Sequence, residues 1–155
     1  MSHNKTQKRN SCKTKDLYNS HKGNSWFSLK YAIHCKNLRI LKKAVKILKK
    51  IGFKVLKQEK FGIDHIFLQP PPEILKSQNF MFVLVVSNGG NNHTVKNNIV
   101  QAAHIGFKLK SIKTFEDIHK KICNITKTII INKPDEKSLF VDLLCGEVIE
   151  FSVKN

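Results

Sequence analysis

The feature that most constrains this chain is a pattern used twice. Residues 26–35 (WFSLKYAIHC) are rich in aromatic and apolar side chains and predict a strand. Residues 39–51 (RILKKAVKILKKI) place Ile40, Leu41, Ala44, Val45, Ile47, Leu48 and Ile51 on one stripe. Lys42, Lys43, Lys46, Lys49 and Lys50 fill the other. That is an amphipathic helix, and Gly52 closes it as a C-terminal cap. Strands follow at 53–58, 63–69 and 79–87, the last apolar enough to be buried on both faces. After a polar linker at 88–98, the second half gives a strand at 101–110, a helix at 114–122, a strand at 128–132 and a hairpin over 138–153. Thr114 and Asp117 have the spacing of a capping box at the start of that helix.

The repeat can be laid out residue by residue. Ile33, Cys35, Lys36, Asn37 and Leu38 fall over Phe107, Leu109, Lys110, Ser111 and Ile112; Leu41 then meets Phe115 and Ala44 meets Ile118. The match is one of pattern rather than identity. It predicts an α+β domain over 26–155 made of two βαβββ modules, 26–88 and 99–155, forming a half-open barrel. A length of 155 residues leaves no room for a second large domain. Residues 1–25 carry six basic side chains, one acid and almost nothing apolar, and read as a disordered basic tail.

Charge is the next constraint. The formal net charge is +17, from 28 Lys and Arg against 11 Asp and Glu. Such an excess suits nucleic acid, an acidic membrane surface or an anionic ligand. Yet 26 of the basic residues are Lys, only Arg9 and Arg39 are Arg, and Asn and Ile are also abundant. Base and phosphate recognition leans on the guanidinium fork. The balance therefore fits compositional drift toward AT-rich codons better than selection for nucleic acid. No run is long enough for a membrane span and no secretory signal opens the chain. Cys12, Cys35, Cys123 and Cys145 have neither CxxC nor zinc spacing, so reduced thiols in the cytoplasm are expected. Dinucleotide, P-loop, serine-hydrolase and zincin motifs are all missing.

Two segments carry chemistry. HIGFKLKSIKTFEDIHKKI (104–122) and FVDLLCGEVIEF (140–151) resemble the opening strand and the closing hairpin of the vicinal-oxygen-chelate superfamily, which holds glyoxalases, bleomycin-resistance proteins and extradiol dioxygenases. Phe140, Asp142, Gly146, Ile149 and Glu150 stand at the hairpin positions, with Leu143 in place of the usual Pro. The resemblance covers 27–153. It implies that His104 and Glu150 are metal ligands, because an imidazole and a carboxylate on one strand face suit Mn, Fe, Co, Ni or Zn as a divalent ion. In the first half the position matching His104 is Lys30, which is no ligand while protonated; His34, on the same strand face, completes a 2-His-1-carboxylate set only after a register shift. The fourth family position, in NFMFVLVVS, has no donor.

Lys30, Lys108 and His65 are the candidate substrate-binding residues, with Trp26 and Phe82 as aromatic contributors, and Glu150 carries the catalytic role if the domain is an enzyme. Lys30 or Glu147 would be the general base. The expectation is a glyoxalase- or dioxygenase-like domain that binds or transforms a small oxygenated anion, with lyase, isomerase or dioxygenase chemistry if a metal is held. A metal-free, resistance-type binder and a basic nucleic-acid-binding module are the rivals. A homodimer is implied by the resemblance.

Overall fold

The structure, a computed structural model, describes residues 29–60, 64–76, 79–87, 99–102 and 104–155. The basic tail, Trp26 and the whole polar linker 88–98 lie outside them. The order is β1 (Leu29–Cys35), α1 (Leu38–Ile51), β2 (Lys54–Lys60), β3 (Asp64–Gln69), β4 (Phe80–Val86), β5 (His104–Leu109), α2 (Ile112–Ile122), β6 (Thr128–Asn132), β7 (Glu136–Asp142) and β8 (Val148–Lys154). This is strand, helix and three strands, twice.

Each module is a four-stranded mixed sheet. The orders are β1-β4-β3-β2 and β5-β8-β7-β6, with β1 parallel to β4, β5 parallel to β8 and the other pairs antiparallel. The repeat is strongest where strand turns into helix. Asn37 and Ser111 are equivalent N-caps: Asn37 Oδ1 accepts from Ile40 N at 3.0 Å and Ser111 Oγ from Thr114 N at 3.1 Å. Ser111 therefore replaces the capping box expected from Thr114 and Asp117. The helix starts a turn earlier because a short side chain with an acceptor oxygen already sits at the corner. Likewise β5 begins only at His104, and residues 99–101 form a turn instead of the start of a strand.

Strand alternation sorts side chains between two faces. On one face lie Ile33, Cys35, Phe80, Phe82, Leu84, Phe107, Leu109, Leu139, Val141, Ile149, Phe151 and Val153. Together with Leu41, Ala44, Leu48, Phe115, Ile118 and Ile122 of the helices they make one buried cluster shared by both modules. The two helices also touch each other. Aromatic rings join the halves. Phe107 meets Phe53, Phe80 and Phe82 edge-on at 5.8–6.3 Å between centroids and stacks on Phe151 at 5.8 Å. Phe82, expected to line a binding cup, is instead fully buried in this core. Its parity along β4 puts it with Phe80 and Leu84, opposite Met81, Val83 and Val85. Among the described residues no helix is long and apolar enough to cross a membrane.

Gly52 ends α1 at φ +118°, where its N–H bonds to Leu48 O and Lys49 O at 3.1 Å each. A Cβ there would sit 3.3 Å from Pro71 Cγ in a backbone region that disfavours side chains. Gly52→Ala is expected to cost about 1–2 kcal/mol, read as a lower urea midpoint with an unchanged slope.

Candidate functional site on the second module

Among the described residues, the other face of each sheet carries no helix, and the two modules differ there. In the second module β5 contributes His104, Gly106 and Lys108. The registers run His104–Val148–Asp142, Gly106–Glu150–Phe140 and Lys108–Ser152–Ser138. Because Gly106 has no side chain, the carboxylate of Glu150 leans across it; a Cβ there would lie 3.6 Å from Glu150 Oε2. That carboxylate meets His104, with Nε2 to Oε2 at 3.1 Å. The other ring nitrogen, Nδ1, lies 2.8 Å from the carbonyl of Ala102. Phe140 supports the imidazole edge-on at 5.4 Å. Side-chain exposures of 31% for His104 and 21% for Glu150 leave the pair open to a ligand.

The hydrogen-bond accounting is informative. A carbonyl oxygen can only accept, so Nδ1 carries a proton. Nε2 then faces a carboxylate oxygen. A bare lone pair and a carboxylate oxygen 3.1 Å apart repel, so a proton or a cation belongs between them. Either a proton is shared between Nε2 and Oε2, or both atoms are free to ligate a cation. The Nδ1–H bond to a backbone carbonyl is the contact that fixes a ligating imidazole in its correct tautomer.

One edge of this face is closed by apolar packing. Ile99, fully buried, packs with Phe140 and Val148, joined by Val100, Ala102, Ile129 and Ile131. The turn before β5 thus presses on the His104 end and delivers the Ala102 carbonyl to it. Lys108 points toward Glu136, Nζ to Oε2 at 3.6 Å, but its side chain is 63% exposed, so this is a weak surface pair.

The first module carries the remaining candidates. Burial along β1 and β5 matches position by position, so Lys30 corresponds to His104, Ala32 to Gly106 and His34 to Lys108. No register shift moves His34 into the place of Lys30. His34 Nδ1 lies 3.2 Å from Ser87 Oγ. His34 and His65 flank Val85 in one cross-strand row. Lys30 extends over Phe67, with Nζ 6.0 Å from the ring centre. Beneath these lies an apolar floor of Phe67, Val83 and Val85 with Met81. The structure therefore brings His104 and Glu150 together and leaves His34 apart from them. Among the described residues no group of three or more His, Cys, Asp or Glu is placed to hold a metal ion. The donor set is one protein ligand short of a 2-His-1-carboxylate centre.

Glu147, a candidate base, lies on the helix side. It accepts from Tyr31 OH at 3.2 Å, and burial together with this carboxylate raises the Tyr31 hydroxyl above its ordinary pKa. Asp142, the acid of the closing-hairpin motif, is fully buried and structural: its carboxylate accepts from Leu144 N at 2.7 Å, holding a turn in which Leu144 has φ +64° and Gly146 φ +83°. Sequence reasoning missed the Ala102 carbonyl, because a main-chain acceptor leaves no residue-type signal.

No family model matches the sequence, and no curated protein does. Solved structures do match. A glyoxylase/bleomycin resistance protein/dioxygenase domain from Frankia sp. EAN1pec aligns over 81% of this chain and 95% of its own, with a TM-score of 0.58 at 14% identity. A glyoxalase/bleomycin resistance protein/dioxygenase from Alicyclobacillus acidocaldarius aligns over 82% and 90%, with a TM-score of 0.54 at 15% identity. The fosfomycin resistance protein FosX from Listeria monocytogenes, in complex with Mn(II) and sulfate, aligns over 85% and 93%, with a TM-score of 0.54 at 12% identity. The chain has the vicinal-oxygen-chelate fold.

A half-exposed pair contributes little to folding. Glu150→Gln is expected to change unfolding free energy by less than about 1 kcal/mol, whereas Ile99→Ala beside it should cost about 2–4 kcal/mol; chemical denaturation of both variants checks the contrast.

Proposed function

We propose that this protein binds a small, oxygenated, anionic molecule over the His104–Glu150 pair, on the open face of the second module. The carrying observation is the pair itself: two polar groups in contact at 3.1 Å, partly exposed, on a sheet face cleared by Gly106 and backed by Phe140. A carboxylate has more acceptor positions than one imidazole fills. Glu150 can therefore take a ligand hydroxyl while His104 keeps its orientation. Lys108, whose side chain is mostly exposed, supplies a positive charge for the anionic group. Lys30 on β1 adds another on the first module's face. His65 and His34 belong to that face as well, above its apolar floor, and suit the less polar part of a ligand.

In a second reading His104 and Glu150 would hold a divalent cation. The Nδ1–H bond to Ala102 favours it, and one structural neighbour is described as a Mn(II) complex. The residues present supply two protein ligands, so ligand and solvent would have to complete the shell; Mn, Fe, Co, Ni and Zn are the ions suited to this donor pair. Lyase, isomerase or dioxygenase chemistry belongs to this reading alone. A homodimer forms part of both, and sedimentation velocity checks it.

The test is thermal stabilisation of the purified protein by a panel of small hydroxy-carboxylates and phosphates, with and without divalent metal, alongside metal analysis. The first reading expects stabilisation in chelator by at least one anion, weakened at least tenfold in apparent affinity by Glu150→Ala and by His104→Ala. Stoichiometric metal that His104→Ala loses would favour the second. No stabilisation by any anion or metal would overturn both.

A further inference from the structure

β6 is the outer strand of the second sheet and carries Thr128, Ile129, Ile130, Ile131 and Asn132, with no charge among them. In an antiparallel pair, alternate residues exchange both main-chain bonds with their partners, and the residues between turn theirs away. Two bonds just beyond β6 set the parity. Asp142 N donates to Lys127 O at 3.1 Å, and Lys133 N donates to Glu136 O at 2.8 Å. Ile129 and Ile131 therefore bond to β7, opposite Phe140 and Ser138. Thr128, Ile130 and Asn132 turn both N–H and C=O to the free edge. Among the described residues no main-chain bond reaches that edge.

The equivalent strand of the first module is protected where β6 is not. β2 has a bulge between Val55 and Lys57, and Lys54 and Lys57 are exposed along it. Bulges and lysines blunt a sheet edge against further pairing. The β6 register runs unbroken from Thr128 to Asn132. Ile130 is 38% exposed, and Ile129 and Ile131 are half-buried against the Phe140 cluster on the open face. Charge appears only beyond the two ends. Lys127 and Lys133 are exposed and have no ion-pair partner among the described residues.

We propose that the β6 edge is a docking site for an extended acidic peptide of a protein partner, which joins the sheet as a further strand. Main-chain bonds to Thr128, Ile130 and Asn132 supply affinity, and side chains supply the choice of partner. Apolar, β-branched residues at the centre of the peptide lie against the three isoleucines, and a carboxylate at each end meets Lys127 or Lys133. A second copy of this chain fits poorly. Paired about Ile130, it sets Lys127 of each copy opposite Lys133 of the other, and each copy carries a net charge of +17. The docked strand continues the row Glu150–Phe140–Ile129, on the sheet face that holds His104. It needs nothing bound at that pair, so it stands apart from the small-molecule reading.

The experiment is residue-resolved hydrogen exchange of the full chain with a short synthetic peptide, Val-Ile-Val at its centre, threonine on either side and glutamate at each end. In the free protein the amides of Thr128, Ile130 and Asn132 should exchange fast and those of Ile129 and Ile131 slowly. Millimolar peptide should protect the first three. The same peptide with lysine ends should bind roughly tenfold more weakly, and Lys127→Glu combined with Lys133→Glu should reverse the preference. Ile130→Pro removes an outward N–H and leaves the bonds to β7, a change edge strands tolerate. It should keep the circular dichroism of the parent and lose the protection by peptide, while Ile130→Thr keeps both. The proposal is overturned if the glutamate-ended peptide leaves the three amides unprotected, or if the two peptides bind alike. It is equally overturned if those amides become protected by raising the protein concentration alone, because a second copy would then be the occupant.

Discussion

The rest of the structure depends on the contact between Phe107 and the phenylalanines of the other module. Each βαβββ unit alone covers one face of a four-stranded sheet with a single helix. The ring of Phe107 meets Phe53, Phe80 and Phe82 edge-on and stacks on Phe151, its partner in register on β8. Such ring pairs add about 0.5–1.5 kcal/mol each beyond the apolar area they bury. They also set geometry, since aromatic edges and faces fit in few orientations. The two sheets are held through their helix-side faces, and that leaves the opposite faces open.

The open faces show how a repeat becomes a site. The equivalent positions on β1 and β5 hold Lys30 and His104, Ala32 and Gly106, His34 and Lys108. The core positions kept their apolar character in both copies, while the open ones diverged. In the second module the missing side chain of Gly106 lets Glu150 reach His104. In the first, Ala32 lies in register with Val83, and that strand offers no carboxylate. One face became polar and acid-bearing, the other basic over an apolar floor.

Five of the positive charges lie on the outer stripe of α1, away from these features. Lys42, Lys43, Lys46, Lys49 and Lys50 of α1 are exposed, opposite the residues that pack on the sheet. The charges that bear on ligand choice are local. Lys108 is mostly exposed, with Glu136 as a loose partner, and Lys30 stretches over Phe67.

The order of elements, the helix stripes, the Gly52 cap and the repeat register were legible in the sequence, because each is written in spacing along a few residues. It also singled out His104 and Glu150. Their alternation put both on one face, and only a strand pairing was needed to join them. It misread the start of α2, where Ser111 outcompetes Thr114, and it gave Phe82 to the wrong face of β4. That Lys30, and not His34, occupies the place equivalent to His104 came from the strand registers. The packing of the two modules also brings Glu147 to Tyr31. Contacts between residues so distant in the chain arise from how two sheets pack. No local pattern encodes that packing, because any apolar side chain of similar size serves at a core position.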